Sequence, residues 1–178
     1  MRKLKNEELD RLSVAEYKTI DKTPIVVVLD NIRSLNNIGS VFRTGDGFCI
    51  EAVYLCGITA TPPNKDIHKT ALGATESVNW KYFTETEDAV NELKQNGYKI
   101  ISVEQAEKST SLENFETKST EKYALIFGHE VKGVAQKIVD MSDICLEIPQ
   151  FGTKHSFNIS VSAGIVLWDL FKKLKYDK

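Results

Sequence analysis

Short runs of aliphatic and β-branched residues alternate along the chain with longer stretches in which apolar residues recur at helical spacing. The clearest run, Ile25 to Leu29, is bounded by turn-type residues and predicts a strand buried on both faces of a sheet. Similar runs occur at Ala52 to Cys56, Val78 to Phe83, Tyr98 to Val103, Tyr123 to Phe127 and Ile144 to Ile148. We expect each of these runs to form a strand.

The segments between these runs favour helices. Thr84 and Glu87 have the spacing of a capping box that opens a helix, and Gly97 stands where that helix should end. Further helices are predicted at Val134 to Met141, at Phe157 to Leu174 and, near the N-terminus, around Leu9, Leu12 and Tyr17. Thr59 to Lys65 and Glu107 to Glu121 are predicted to be flexible. Strands that alternate with helices predict an α/β domain with a mostly parallel sheet and helices on both faces.

The composition fits a single domain that lies outside the membrane. The chain has 178 residues, of which 42% are hydrophobic, enough for one buried core. Met1 to Asp10 lacks the apolar centre of a secretory signal, and no run approaches the roughly 18 apolar residues of a spanning helix. We therefore expect a cytoplasmic protein without a membrane partner.

Charge and cysteine content narrow the choice of ligands. The chain has 23 Lys and Arg and 25 Asp and Glu, which gives a formal net charge of -2. This balance argues against a polybasic tail as the main source of affinity for a ligand, although a local basic face can exist. Cys49, Cys56 and Cys145 contain no C-x-x-C pair, which suits a reducing compartment and predicts no metal site. We expect all three cysteines to be small core residues.

The loop after the first strand lacks the usual nucleotide fingerprints. Leu29 is followed by a polar segment, Asp30 to Asn37, in which no glycine occurs. Dinucleotide enzymes, P-loop proteins and ordinary Rossmann-like methyltransferases rely on a tight glycine turn at this point. These three classes are therefore disfavoured.

Polar residues concentrate instead in three clusters, each of which has a purely structural interpretation. In the first, Asn37 precedes a helical face as a candidate N-cap and Arg43 follows six residues later, a pattern equally typical of a capped helix with a solvated arginine. The second cluster, Phe127 to Val134, places Glu130 between two glycines. These glycines could simply make a strand-to-helix turn, with Glu130 favoured by the helix dipole.

The third cluster, Ile148 to Ser160, crowds polar side chains into a loop before the most apolar helix. Ser156 is a candidate N-cap of that helix. Asn158 is disfavoured inside a helix unless its amide has a partner. This unusual placement points to a binding or catalytic role.

Together the three clusters resemble the SpoU/TrmH branch of the SPOUT RNA methyltransferases over about Pro24 to Lys173. The residues that match the family's motifs are Asn37 and Arg43 in the first, Gly128 and Glu130 in the second, and Pro149, Gly152, Ser156, Asn158 and Ser160 in the third. Val131 stands where family members usually carry glycine, which predicts a different backbone angle or a looser loop there. The three motifs occur in the family's order, each at the end of a predicted strand.

The resemblance implies a SPOUT domain at residues 24–178, preceded by a short helical extension at residues 1–23. The C-terminal segment of such a domain is threaded through a loop as a deep trefoil knot. S-adenosylmethionine would be the cofactor, held by Gly128, Ile148, Phe157 and Gly152. The family forms homodimers through helices next to the knot, and the apolar segment Phe157 to Leu174 suits that role.

The activity that the resemblance implies is methyl transfer to a ribose 2'-hydroxyl of tRNA or rRNA. Arg43 is the family's catalytic residue by position, and because a guanidinium stays protonated we expect it to fix a phosphate and stabilise a developing alkoxide. Residues expected to hold arginine and nucleotide in register are Asn37, Glu130, Ser156 and Asn158. His155 is an alternative general base. The candidate RNA-binding residues of the domain are Arg33, Lys65, Lys69 and Lys154, and no DNA partner is expected.

Two other functions stay open at this point. One is a non-catalytic RNA-binding or ribosome-assembly factor on the same fold, which would bind the cofactor without methylating RNA. The other is a small-molecule enzyme on an unknotted α/β sheet, which would not bind S-adenosylmethionine. The sequence does not identify the RNA or the nucleotide.

Overall fold

The computed structural model describes residues 1–176. A seven-stranded sheet lies at the centre of the fold. The strands are β1 (Thr23–Asp30), β2 (Ile50–Cys56), β3 (Asn79–Phe83), β4 (Tyr98–Val103), β5 (Thr110–Ser111), β6 (Lys122–Phe127) and β7 (Ile144–Glu147). Their order across the sheet is β3-β2-β1-β6-β4-β7-β5, and all six pairings are parallel. The prediction of a mostly parallel sheet is confirmed.

Helices cover both faces of this sheet, as the alternating pattern predicts. They are α1 (Val14–Thr19), α2 (Leu35–Gly47), α3 (Lys65–Ala71), α4 (Ala74–Ser77), α5 (Thr86–Gln95), α6 (Gln136–Met141) and α7 (Ile159–Lys175), with short 3-10 turns at Asn6–Glu8 and Leu112–Asn114. One face packs against α2, α3, α4 and α7, and the other packs against α5 and α6. No helix within residues 1–176 is both long and apolar enough to cross a bilayer.

The central strand β1 owes its burial to its uninterrupted aliphatic sequence. Ile25, Val27 and Leu29 belong to the core on one face, whereas Val26 and Val28 belong to the core on the other. None of these five side chains is more than 2% exposed. A strand buried on both faces needs apolar residues at every position, and this explains the clear signal in the sequence.

The predicted capping box at Thr84 is wrong. Helix α5 begins at Thr86, and its N-cap residue, Glu85, makes no side-chain capping bond. The Thr86 hydroxyl instead donates to the buried carboxylate of Asp30 at 2.6 Å, so tertiary structure decides where this helix starts. At the other end Gly97 has a φ of +78°, as expected of a residue that follows a helix.

The N-terminal extension is not one amphipathic helix. The side chain of Ser13 accepts a hydrogen bond from the Glu16 amide and the Glu16 carboxylate accepts one from the Ser13 amide, so a capping box starts α1 at Val14. Of the three apolar residues that predicted a helix here, only Tyr17 is buried, whereas Leu12 is 52% exposed. The extension therefore touches the core mainly through Tyr17.

Both segments predicted to be flexible are held by specific contacts. The hydroxyl of Thr59 donates to the Leu29 carbonyl at 3.0 Å and accepts from the Ile32 amide at 2.9 Å. In the second segment, the Lys173 ammonium donates to the carbonyls of Leu112 and Phe115 at 2.9 and 2.7 Å. Helix α3, which begins at Lys65 in the last position of the first segment, and helix α4 after it have no counterpart among the predicted elements.

The expectation that all three cysteines lie in the core holds only for Cys56. Cys49 and Cys145 are half-buried. Burial, aided by the nearby carboxylate of Asp30, raises the pKa of the Cys56 thiol to about 12. The predicted domain boundary at residue 178 includes residues 177 and 178, which lie outside the described residues.

Candidate active site

A cavity of about 750 Å³ opens at the carboxyl ends of β4, β6 and β7. Parallel strands end at a common edge of the sheet, so the loops that follow them meet there. Three segments form the walls, namely the turn at residues 103–106, the loop at residues 127–134 and the segment at residues 148–159. The second and third segments contain two of the three polar clusters seen in the sequence.

The loop after β6 can close only because residue 128 is glycine. A Cβ atom at Gly128 would collide with the backbone of Gly133 and Val134. Gly133, with a φ of +68°, donates its amide to the His129 carbonyl at 2.8 Å, and Val131 donates its amide to the imidazole Nδ1 of His129 at 3.0 Å. Val131 itself does not adopt the left-handed backbone conformation, and its side chain is 83% exposed.

The carboxylate of Glu130 binds the start of helix α2. It accepts hydrogen bonds from the backbone amides of Ser34 at 2.9 Å and Arg33 at 3.2 Å, and from the side-chain amide of Asn37 at 3.4 Å. The other atom of the Asn37 amide group, Oδ1, accepts from the side chain of Asn158 at 3.1 Å. One residue from each of the three polar clusters is thus part of a single hydrogen-bonded network.

The capping assignments for two helices need correction. The predicted N-cap of α2 was Asn37, but the N-cap is Ser34, whose hydroxyl accepts a hydrogen bond from the backbone amide of Asn37. The N-cap of α7 is Asn158, whose Oδ1 accepts from the Ser160 amide at 2.9 Å, and not Ser156. An asparagine cap explains how Asn158 can stand at the start of an apolar helix, because its Oδ1 accepts from the Ser160 amide and its Nδ2 donates to Asn37.

Hydrogen bonding keeps Glu130 ionised. Partial burial by itself would raise the pKa of this carboxyl group, but the amides of Ser34, Glu130 itself and Arg33, together with the side chain of Asn37, hold that pKa below its ordinary value. A carboxylate that already accepts several hydrogen bonds is a weak base. The geometry therefore suits Glu130 to positioning rather than to proton transfer.

The other predicted site residues divide into two groups. Gly128, Ile148, Ser156 and Phe157 line the cavity, as does His155. Gly152 and Arg43 are not among the lining residues. Gly152 lies in open space on the exposed loop, and Arg43 is an exposed residue of α2.

Sequence reasoning missed two residues at the end of β4. Glu104 accepts a hydrogen bond from the Val134 amide at 3.0 Å, and the Gln105 side chain donates to the His155 carbonyl at 2.6 Å. Together they tie the turn after β4 to the other two walls of the cavity. The available signal was their position directly after a predicted strand, where the carboxyl edge of a parallel sheet gathers functional residues.

The sequence of this chain also matches a known protein family. A sequence profile of the SpoU rRNA Methylase family matches residues 24–168, most of the chain. The chain is a member of the SpoU rRNA methylase family. The resemblance expected from the three motifs is confirmed.

Individual SpoU/TrmH relatives align with nearly all of the chain. A Neisseria meningitidis serogroup B protein named 23S rRNA (guanosine-2'-O-)-methyltransferase RlmB is 30% identical over 150 residues, which are 84% of this chain and 59% of that protein. A Staphylococcus saprophyticus protein named for the TrmH family of tRNA/rRNA methyltransferases is 28% identical over 163 residues, 92% of this chain and 64% of that protein. The chain spans about three fifths of the length of these two curated relatives.

Solved structures of the SpoU family share the fold of this chain. The AdoMet-bound rRNA methyltransferase from Sinorhizobium meliloti has a TM-score of 0.80 at 23% identity, covering 86% of this chain and 58% of that one. The TrmH/SpoU tRNA modifying enzyme of A. aeolicus has a TM-score of 0.78 at 22% identity, covering 88% and 78%. The predicted α/β class is confirmed at the level of the family.

The candidate RNA-binding residues of this SpoU-family chain are all exposed. They are Arg33, Lys65, Lys69 and Lys154. Helix α3, which carries two of them, packs directly on α2, where the Thr70 hydroxyl donates to the Asn36 carbonyl at 3.0 Å. Lys69 also forms an ion pair with Asp66 at 2.6 Å, whereas Lys154 lies on the loop beside the cavity.

Proposed function

We propose that this chain uses S-adenosylmethionine to methylate a ribose 2'-hydroxyl of tRNA or rRNA. The observation that carries the proposal is the network of Asn37, Glu130 and Asn158, which joins all three motifs beside one cavity. The Neisseria relative named as a guanosine 2'-O-methyltransferase and the AdoMet-bound Sinorhizobium structure support the same reaction and cofactor.

The cavity fits a nucleoside cofactor. Ile148, Leu146 and Phe157 supply apolar surface for a planar base. Gly128 has no side chain, so a ligand in the cavity can approach its backbone directly. Such a combination of apolar walls and a few polar groups is typical of small-molecule sites. When bound, S-adenosylmethionine supplies a methyl group activated by its positively charged sulfur.

The residues of the chain then have distinct tasks. Asn37 is hydrogen-bonded to both Glu130 and Asn158. We therefore assign these three residues to holding the start of α2 and the start of α7 in place. Ser156 lines the cavity and is exposed, so its hydroxyl is available to bind a ligand. His155, which also lines the cavity, remains the alternative proton acceptor.

We assign Arg43 to binding the RNA substrate. Its side chain is exposed and has no hydrogen-bond or ion-pair partner within residues 1–176. A guanidinium is a fixed cation with several donors, so it suits a phosphate oxygen and a developing alkoxide better than the role of base. Arg43 lies roughly 9 Å along the helix axis from Asn37 and about a third of a turn around it.

We propose that the chain acts as a homodimer built on α7. Trp168 is 51% exposed on this helix, and its ring lies 5.9 Å from that of Phe48, which in turn lies 5.2 Å from that of Phe171. An exposed aromatic cluster of this kind is typical of the centre of an interface. Because α7 packs on α2, such a dimer would bring Arg43 close to the interface.

The RNA would lie across the cavity mouth. Arg33 lies just before the start of α2, Lys65 and Lys69 lie on the helix that packs on α2, and Lys154 lies in the segment at residues 148–159. Exposed apolar side chains stand near them, with Phe151 98% exposed and Val131 83% exposed. Cations for phosphate and apolar side chains for unstacked bases are the groups that RNA recognition uses. We propose a cytoplasmic location for this activity.

The test is to map 2'-O-methyl nucleotides in total RNA from cells with and without the gene. We expect one or more sites to disappear with the gene and to return when purified protein and S-adenosylmethionine are added to RNA from the deletion strain. Cofactor binding without methylation of any cellular RNA would instead indicate the RNA-binding factor. Failure to bind the cofactor would indicate a different enzyme class.

A further inference from the structure

Glu104 places a carboxylate on the wall of the cavity, yet it belongs to none of the three motifs. We propose that Glu104 is a positioning and specificity residue for the cofactor, an inference that rests on the proposed function. It holds the loop at residues 127–134 in place, and it supplies a negative charge that favours the cationic methyl donor over the neutral-sulfur product.

The positioning role follows from two hydrogen bonds. Oε2 of Glu104 accepts from the Val134 amide at 3.0 Å, and Oε1 accepts from the Gln105 amide at 2.8 Å. Oε2 also lies so close to Gly133 that a Cβ atom there would collide with it. The carboxylate therefore fixes the far end of the loop whose near end is the crowded Gly128.

The backbone of Glu104 is held as firmly as its side chain. Its amide donates to the Leu146 carbonyl at 3.0 Å, and its carbonyl accepts from the Cys145 thiol at 3.3 Å. Both partners lie on β7. Glu104 thus joins the ends of β4 and β7 to the loop that follows β6, and its position in the cavity wall is determined by all three.

The specificity role follows from charge. Glu104 forms no ion pair within residues 1–176, and a carboxylate has about four acceptor positions, of which two are used here. The other acidic residue of the cavity, Glu130, already accepts three hydrogen bonds from the start of α2. Glu104 therefore keeps about two acceptor positions for a ligand, whereas Glu130 keeps about one.

The methyl donor and its product differ at one charge. S-adenosylmethionine carries a sulfonium cation, and loss of the methyl group leaves a neutral thioether while the ammonium and carboxylate remain. A carboxylate in a partly desolvated cavity attracts a cation more strongly than it would in water. Glu104 should therefore favour the methyl donor over the product and so assist product release.

The experiment measures binding of S-adenosylmethionine and S-adenosylhomocysteine by calorimetry in the wild type, Glu104→Gln and Glu104→Asp. Glu104→Gln keeps the shape but removes the charge, and we expect it to weaken the donor by about tenfold or more and the product by clearly less. Glu104→Asp keeps the charge but shortens the side chain, so the preference for the donor should survive. Glu107→Gln, at an exposed glutamate three residues further along the chain, is the matched control and should change neither affinity.

Amide hydrogen exchange in the free protein provides a second readout. Both Glu104 variants should speed exchange of the Val134 amide, whereas the Glu107 control should not. An equal loss of affinity for both ligands in Glu104→Gln would refute the charge role, and unchanged exchange at Val134 would refute the positioning role. Absence of binding in the wild type would overturn the proposed cofactor itself, and this inference with it.

Discussion

The side-chain amide of Asn37 joins segments that are far apart in the chain. Its Nδ2 donates to Glu130, 93 positions away, and its Oδ1 accepts from Asn158, 121 positions away. Asparagine is suited to this place because one group offers both a donor and an acceptor. With only 8% of Asn37 exposed, an unmatched donor or acceptor here would lack water to satisfy it.

At Arg43 we predict a loss of rate without loss of the fold. Arg43→Ala should lower methyl transfer by about 10² to 10⁴, the usual contribution of a general acid-base or electrostatic group. Affinity for S-adenosylmethionine should be unchanged, because Arg43 does not line the cavity. Single-turnover kinetics and calorimetry measure the two effects, with the exposed Arg11→Ala as control. Near-normal turnover would remove Arg43 from the mechanism.

At Glu130 we predict a pH-dependent contribution to stability. The pKa of Glu130 in the folded state lies below its ordinary value of 4.5, so the contribution is fully present above about that pH. It is lost as the pH falls through the lowered folded-state value, because the protonated carboxyl no longer attracts the backbone amides of Arg33 and Ser34 just before α2. Urea unfolding of the wild type and Glu130→Gln should show a gap at pH 7 that narrows under acid. A gap independent of pH would contradict this account.

Among the secondary-structure elements, the contact between α2 and α3 depends on one missing side chain. A Cβ atom at Gly39 would collide with the Thr70 hydroxyl and the Ile67 carbonyl. The two helices can therefore approach closely only with glycine at this point. Because α2 carries Asn37 and Arg43 and α3 carries Lys65 and Lys69, this contact also brings the first motif and the basic residues together.

We predict that Gly39→Ala costs about 1 to 3 kcal/mol of unfolding free energy, the usual cost of overpacking a core. The matched control is Gly47→Ala in the same helix, where a Cβ atom would meet nothing within 4 Å. That change should be neutral or slightly stabilising, because alanine is the better helix former. Denaturant unfolding measures both. Equal stability of the two variants would show that the helices can separate without cost.

For the whole molecule, we predict a homodimer whose interface is centred on Trp168. Trp168→Glu would place a charge in the aromatic cluster, and we expect a monomer at micromolar concentration with methyl transfer strongly reduced. Sedimentation velocity measures the assembly. Tyr82→Glu, an exposed aromatic on the edge strand β3, is the control and should remain dimeric. A wild-type monomer that keeps full activity would exclude the proposed assembly.

The choice of RNA is also a property of the whole surface. RNA should be methylated and the same sequence made as DNA should not, because DNA lacks the 2'-hydroxyl acceptor. Replacing Arg33, Lys65 and Lys69 together by alanine should raise KM for RNA more than KM for the cofactor. With a net charge of -2, binding should weaken with salt less steeply than in a strongly cationic protein. Normal RNA binding by the triple variant would exclude this face.

Much of the site was predictable because its residues lie in short motifs after strands. Glu130 and Asn158 were recognised as site residues, but their partners were not, since a hydrogen bond to Asn37 cannot be read from local spacing. Glu104 was missed for the same reason. Its role depends on the Val134 amide, 30 positions along the chain. The deep trefoil knot stays a prediction of the family resemblance.

The amino-acid sequence by itself determined the strand runs, the parallel α/β class and the three motifs, because each depends on residues that are near one another in the chain. Tertiary structure alone decided that α5 starts at Thr86, that Asn158 rather than Ser156 caps α7, and that Glu104 reaches the cavity. In each of these cases the side chain is satisfied by a partner from a distant segment. Patterns of neighbouring residues indicate burial and helix propensity. Hydrogen-bond partners from distant segments meet only when the strands lie side by side and their loops come together at one edge of the sheet.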